Sequence, residues 1–173
     1  RMDFCGKLAQ YKRVDCPGAV LNNMKNAIEP RWGNWRQGKL DFVKNYKFTI
    51  AFENSASSGY VTEKIIHAFM SNSIPIYYGD PDICRMFNGK AFVNVRDYGS
   101  FDEVVEIVRE IDNNDDLYLQ MLQEPLITDS TQLEYDDRLE RFLLNVVEKG
   151  NQPFFHARDY PPKERYRIKL FKY

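Results

Sequence analysis

The sequence predicts an α/β protein with a largely parallel β-sheet and helices on both of its faces. Strand-like apolar runs alternate along the chain with segments whose apolar residues recur at helical spacing. Such alternation is typical of parallel sheets, whose strands are joined by crossover helices. The composition agrees, because a chain of 173 residues that is 43% hydrophobic can bury a core.

The clearest predicted element is a strand at 46–52, where β-branched and aromatic residues lead to a polar stop at Glu53. The next segment, 61–72, is predicted to be a helix with an apolar face of Ile65, Ile66, Phe69 and Met70. Residues 29–38 are predicted to form a loop. The other predicted strands are 12–15, 74–78 and 91–95. The other predicted helices are 2–10, 39–45, 100–111, 115–122 and 131–148.

Charge and cysteine content exclude several classes of protein. The chain has 24 Lys and Arg against 25 Asp and Glu, so a globally basic nucleic-acid binder is not expected. Residues 1–49 carry an excess of bases that suits an anionic ligand, whereas the acidic stretch 97–140 is typical of solvated helix faces. Three cysteines without a Cys-x-x-Cys motif predict free thiols in a reducing compartment rather than a disulfide framework or a zinc site.

Two loops are predicted to lie beyond the carboxyl ends of strands, where parallel sheets bind ligands: 53–62 and 79–90. The first loop leads into a helix start, whose free N–H groups suit a phosphate. Lys64 in the first turn opposes the helix dipole, and a bound anion would explain it. The alternative is a plain capped helix with a solvated Glu63–Lys64 pair. Polar side chains that could bind hydroxyls in this loop are Asn54, Ser55, Ser57, Ser58 and Tyr60.

Several other motifs are weaker. Residues 33–40 nearly match a phosphate-binding P-loop, but Leu40 replaces the metal-binding Ser or Thr and no apolar strand precedes the loop. The acidic pair in Asp80-Pro81-Asp82 has a metal-binding spacing, and an ordinary turn is the simpler interpretation. Structural roles are predicted for the two histidines, His67 and His156, and core packing for Trp32 and Trp35.

Three runs in the chain together resemble the α-1,3/4-fucosyltransferase family. They are the segments 46–54, 59–64 and 74–79, which read YKFTIAFEN, GYVTEK and IPIYYG. The segment 1–18 is similar to the part of the family that carries a phosphate-binding arginine, which places that arginine at Arg1. The resemblance implies a GT-B glycosyltransferase of two facing Rossmann-like domains, of which this chain is the C-terminal, donor-binding half.

The resemblance also implies a reaction: transfer of L-fucose from GDP-fucose to a glycan hydroxyl, with inversion. The expected acceptor is N-acetylglucosamine in an N-acetyllactosamine-type glycan, and the setting is bacterial lipopolysaccharide or glycan biosynthesis. No metal is expected to be required, because basic groups would stabilise the diphosphate. The acceptor domain and its catalytic base lie outside this chain, so the isolated chain is expected to bind the donor without transferring fucose. The implied donor-binding residues are Arg1, Asn54, Tyr60, Glu63 and Lys64, with Glu63 also catalytic.

The alternatives are a transferase for another nucleotide sugar, a nucleotide- or glycan-binding module without catalysis, and a purely structural domain. We predict a nucleotide-sugar domain over 1–155 and a basic, aromatic tail over 156–173. The simplest interpretation of the tail is a segment packed on the domain, and the sharper one is a weak contact with anionic lipid. The sequence has no apolar run of about 18 residues, so we expect no membrane-spanning helix. We therefore expect a cytoplasmic enzyme, peripheral at the inner membrane, and Arg1 in place of an initiating Met indicates part of a longer protein.

Overall fold

The computed structural model describes residues 1–18, 21–24 and 34–150. The chain divides into two compact units, Arg1–Thr131 and Gln132–Tyr173. The second unit is described as far as Gly150, and that part of it belongs almost entirely to one long helix. His156, Trp32 and the tail 156–173 lie outside the described residues, so their predicted roles stay predictions.

A parallel sheet forms the centre of the first unit. Its strands are β1 (Phe48–Phe52), β2 (Ile74–Tyr78) and β3 (Val93–Asn94), in the spatial order β1-β2-β3. Phe48 pairs with Ile74 and Phe52 with Tyr78, so β1 and β2 end level with each other. The first residues after the two strands, Glu53 and Gly79, therefore meet at the carboxyl edge of the sheet.

Helices cover both faces of this sheet, as the sequence predicts. Alternate strand residues point to opposite faces, so Phe52 and Ile76 join one apolar cluster while Ala51 and Tyr77 join another. The first cluster is closed by α1 and α4, and the second by α3. The helices are α1 (Met2–Tyr11), α2 (Trp35–Val43), α3 (Glu63–Met70), α4 (Phe101–Asn113), α5 (Asp115–Gln123) and α6 (Asp129–Lys149).

The predicted strand at 12–15 is wrong. This segment bonds to Asn23 instead of a sheet: the Asn23 side chain donates to the carbonyl of Val14 at 2.8 Å and accepts from the Cys16 amide at 2.8 Å. Asp15 is held by Arg13 and by the hydroxyl of Tyr46. Local side-chain bonds thus replace the strand pairing that was predicted for this segment.

The bounds of two further elements and the buried face of a third differ from prediction. Helix α2 begins at Trp35, inside the predicted loop 29–38, of which 29–33 lie outside the described residues. The predicted strand 91–95 is reduced to two residues because short 3-10 turns flank it, capped by the side chains of Asn88 and Asn94. The apolar face predicted for α3 is only partly right: Ile65 is buried, but Ile66 and Met70 are exposed.

Candidate functional site

A buried carboxylate stands where β1 meets α3. The side chain of Glu53 has no solvent exposure. It accepts the backbone N–H of Thr62 at 2.7 Å and the hydroxyl of the same residue, and the ammonium of Lys64 donates to it at 2.6 Å. Thr62 is the residue that precedes the first turn of α3. Glu53 therefore provides a negative charge at the positive end of the helix dipole.

This arrangement explains the lysine that the sequence places against the dipole. The anion that the sequence calls for at the helix start is supplied by the chain itself, through Glu53. The predicted alternative, a solvated Glu63–Lys64 pair, is wrong, because Lys64 pairs with Glu53 and Glu63 is exposed. Burial alone would raise the pKa of Glu53, but the hydrogen bonds from Lys64 and Thr62 outweigh it and hold the pKa below its usual value.

A glycine makes room for the Glu53 side chain. A Cβ atom at Gly79 would lie 2.6 Å from Cγ of Glu53 and 2.4 Å from the hydroxyl oxygen of Tyr77. That hydroxyl accepts the amide of Asp80 at 3.0 Å, so it cannot move without breaking a buried bond. Only glycine fits at this position, where the ends of β1 and β2 meet.

The loop 53–62 is shaped by the turn that follows β2. Asp80, 2% exposed, accepts the amides of Gly59 at 2.9 Å and Asp82 at 2.8 Å. Asp82 accepts the hydroxyl of Ser58 at 2.8 Å, and Gly59 has the left-handed φ of 76° that favours glycine. The interpretation of 80–82 as a turn is confirmed, since backbone N–H groups occupy the Asp80 carboxylate. In the ranges that the structure describes, no three His, Cys, Asp or Glu side chains cluster as metal ligands.

Arg1 lies beside the end of β1. Its guanidinium donates to the carbonyl of Phe52 and, at 3.2 Å, to the side-chain oxygen of Asn54. Two of the implied donor-binding residues are thus in direct contact, although they are 53 positions apart in sequence. The side chains of Asn54 and Tyr60 are exposed, so both remain available to a ligand at this edge.

A cavity of about 730 Å³ runs along β1, the edge strand of the described sheet. Its apolar floor includes Phe48, Ile50 and Phe52. Among the implied donor-binding residues, Arg1 and Lys64 line the cavity, whereas Asn54, Tyr60 and Glu63 do not. The basic side chains around the cavity are Arg1, Lys12, Arg13, Lys39, Lys47 and Lys64.

Sequence analysis missed two residues of this site. Glu53 was predicted only as the polar end of a strand, although the dipole conflict at Lys64 was a signal that a carboxylate is near. Lys39 belonged to the rejected P-loop motif, yet it lines the cavity, and its ammonium is 3.2 Å from Nδ1 of the buried His67. His67 also meets the ring of Trp35 edge-on, with centroids 6.2 Å apart.

Comparison with known proteins identifies the family. Residues 1–124 match the family described as "Glycosyltransferase family 10 (fucosyltransferase) C-term". The chain belongs to this fucosyltransferase family. An α-(1,3)-fucosyltransferase of Helicobacter pylori is 37% identical over an alignment of 166 residues that covers 83% of this chain and 35% of that protein. An α-(1,3)-fucosyltransferase B of Drosophila melanogaster is 30% identical over an alignment of 131 residues that covers 73% of this chain and 30% of that protein.

Solved fucosyltransferase structures confirm the predicted fold class. A crystal structure of an α1,3-fucosyltransferase with GDP-fucose has a TM-score of 0.67 and 36% identity, over 73% of this chain and 35% of that chain. One with GDP has a TM-score of 0.63 and 38% identity, over the same shares. The Rossmann-like parallel sheet is thus of the GT-B type, as predicted. The chain spans about a third of the length of these relatives.

The last property concerns the length and polarity of the helices. Every helix within the described ranges is too short or too polar to cross a bilayer.

Proposed function

We propose that this chain supplies the donor site of an inverting fucosyltransferase, which transfers L-fucose from GDP-fucose to a glycan hydroxyl. The observation that carries the proposal is the cavity at β1, where Arg1 and Lys64 stand at the carboxyl edge of the sheet. Its volume of about 730 Å³ falls in the usual range of small-molecule sites. The related crystal structures with GDP-fucose and with GDP support the choice of donor.

The leaving group in this reaction is a nucleoside diphosphate, on which negative charge grows as the glycosidic bond breaks. Lys64 donates to Glu53 and Thr62, and it retains a further N–H because an ammonium has three. Arg1 presents a planar group of several donors at the same edge. The two cations stabilise the developing charge without a metal ion.

The sugar is assigned to the exposed residues at the start of α3 and in the loop before it. Glu63 is the first residue of α3 and is exposed, and among the described residues no ion pair holds it in the way that Lys64 holds Glu53. As a carboxylate it stabilises the positive, oxocarbenium-like character of the fucose ring. Asn54 and Tyr60 orient the donor through hydrogen bonds. The acceptor, N-acetylglucosamine of an N-acetyllactosamine-type glycan, is deprotonated by a base outside this chain.

Calorimetric titration tests this function. The 173-residue chain is titrated with GDP-fucose, GDP-mannose and UDP-galactose, in EDTA and in Mn²⁺. We expect GDP-fucose to bind equally well in both buffers and more tightly than the other two donors. Equal binding of UDP-galactose would overturn the choice of donor. Binding that EDTA abolishes and Mn²⁺ restores would overturn the metal-free chemistry.

A transfer assay separates a complete enzyme from a donor-binding half. The acceptor residues belong to the part of the family outside this chain, so we expect GDP-fucose binding with almost no transfer to N-acetyllactosamine. Robust transfer by the purified chain would contradict this division of labour. GDP-fucose binding that leads to no transfer even when a family acceptor domain is supplied would favour a non-catalytic binding module.

The location and the tail are also part of the proposal. We place the enzyme in the cytoplasm, at the inner membrane, with the basic tail 156–173 as a weak contact to anionic lipid. Co-sedimentation with anionic liposomes at low salt, with and without residues 158–173, tests the tail. If both forms stay in the supernatant, the tail makes no membrane contact.

A further inference from the structure

Lys39 differs from the other cations of the cavity. Among the described residues, no carboxylate lies within ion-pair distance of its ammonium, whose side-chain contact is the 3.2 Å bond to Nδ1 of His67. Three other lysines of the cavity have carboxylate partners: Lys12 bonds Asp112, Lys47 bonds Asp112 and Asp115, and Lys64 bonds Glu53.

Lys39 lies at the end of the cavity that is next to the start of α3. It is the fifth residue of α2, which packs against α3. The charges that act on its ammonium are those of Glu63, Lys64 and Glu53, all at or next to the start of α3. Lys39 therefore faces the same end of the cavity as Lys64.

The partner of Lys39 holds it without neutralising it. His67 is 3% exposed, and burial, followed by the nearby charge of Lys39, lowers its pKa below the usual value. A neutral imidazole can accept from an ammonium through Nδ1 when its proton is on Nε2. It fixes the direction of the ammonium and leaves the full positive charge in place.

Such a charge is unfavourable in the free protein. Burial lowers the pKa of Lys39 below its usual value, because a half-buried ammonium loses part of its hydration and the carboxylates of Glu63 and Glu53, which are not in ion-pair contact with it, do not make up the loss. A hydrophobic residue of the same length would be more stable at this position. An unfavourable charge that lines a cavity is typical of a group that waits for an oppositely charged ligand.

We propose that Lys39 is a third cation for the diphosphate of the nucleotide-sugar donor, held toward the cavity by neutral His67. This inference rests on the proposed function and adds a residue to it. Arg1 and Lys64 approach the diphosphate from the end of β1 and from α3, and Lys39 approaches it from α2. Together the three residues offer three positive charges from separate elements to a diphosphate that carries two negative charges in the donor and gains another as the glycosidic bond breaks.

The test compares Lys39→Met with a matched lysine elsewhere. Methionine keeps most of the apolar stem and removes the charge. Lys90→Met is the control, since Lys90 is exposed and does not line the cavity. GDP is titrated calorimetrically, and guanosine, which has no phosphate, is measured by competition.

We expect Lys39→Met to weaken GDP about tenfold, the usual effect of one charge-assisted contact, and to leave guanosine unchanged. Lys39→Arg should recover most of the GDP affinity, and Lys90→Met should match the parent chain. The melting temperature of Lys39→Met should be equal to or higher than that of the parent, because an unpaired buried charge is gone. Lys39→Gln is a second neutral variant in case the methionine variant does not fold.

Two results would overturn the inference. The first is parental GDP affinity in Lys39→Met. The second is an equal loss of affinity for GDP and guanosine, which would indicate a damaged cavity. If the parent chain does not bind GDP, or if Lys64→Ala has no effect either, the proposed function itself fails. If Lys64→Ala weakens GDP and Lys39→Met does not, only this inference fails.

Discussion

Two lysines face the same cavity from different helices, and their surroundings are opposite. Lys64 on α3 is paired with the buried carboxylate of Glu53, at 2.6 Å. Lys39 on α2 is bonded to a neutral imidazole, at 3.2 Å. The first lysine is part of the structure that joins β1 to α3, whereas the second has no ion pair among the described residues. A residue can therefore belong to a binding site in two ways, and stability measurements distinguish them.

The largest expected effect is on stability and concerns the ion pair between Lys64 and Glu53. Glu53→Ala removes the anion of a buried ion pair and leaves the amide of Thr62 without its acceptor. We expect the free energy of unfolding to fall by about 3–5 kcal/mol, the range for breaking a buried pair. Urea denaturation measures it, with Glu63→Ala as the control. That exposed neighbour should change stability by less than about 0.5 kcal/mol. Equal losses of stability in the two variants would show that the buried pair of Glu53 with Lys64 does not stabilise the fold.

The next effect concerns the space beside Glu53. Gly79→Ala would press a methyl group against Cγ of Glu53 and the hydroxyl of Tyr77, so we expect a loss of about 1–3 kcal/mol. The matched control is Gly6→Ala in α1, where a Cβ atom would meet nothing within 4 Å. There the change should stabilise the chain by about 0.5–1 kcal/mol, because alanine favours a helix over glycine. A harmless Gly79→Ala variant would contradict the close packing at the sheet edge.

The sequence predicted that Lys64 opposes the helix dipole, but it did not predict that Glu53 supplies the compensating charge. The conflict with the helix dipole is visible because Lys64 and the helix start are neighbours in the chain. The carboxylate that resolves it is eleven positions away, at the end of β1, and the fold of the loop 53–62 brings the start of α3 back to it. The contact between Lys39 and His67 spans 28 positions and depends on how α2 packs against α3. Such contacts leave no periodic signal.

The same difference applies to the fold. The strand at 74–78 was predicted with its correct bounds because it is a buried apolar run ended by Gly79. The segment 12–15 has Val14 as its single apolar residue, and Asn23 bonds its backbone in place of a neighbouring strand. The buried side of α3 was misjudged because His67 is buried as the acceptor for Lys39, whereas Ile66 is exposed. Local patterns identify the elements, and tertiary polar contacts decide their edges and faces.

The smallest effect is the pH dependence of the buried pair. The pKa of Glu53 is below its usual value in the folded chain. Its stabilising contribution is therefore complete above the unfolded pKa of about 4.3 and is lost as the pH falls through the lower folded pKa. Glu53→Gln lacks this titration. We expect the difference in stability between the parent and Glu53→Gln to shrink as the pH falls from about 6 to 3. A constant difference would mean that the Glu53 charge is not stabilised by folding.

Titration of the Lys64→Ala and Glu63→Ala variants with GDP tests the central claim most directly, that the basic end of this cavity binds the donor diphosphate. Lys64→Ala should lose about 1.5–3 kcal/mol of GDP binding, the usual scale for a charge-assisted hydrogen bond. Glu63→Ala should bind GDP as the parent does, because its role is assigned to the fucose. Circular dichroism and the free energy of unfolding are measured on the same samples, since Lys64→Ala also leaves Glu53 buried without its cation. Unchanged GDP affinity in folded Lys64→Ala, or equal losses in both variants, would contradict the account.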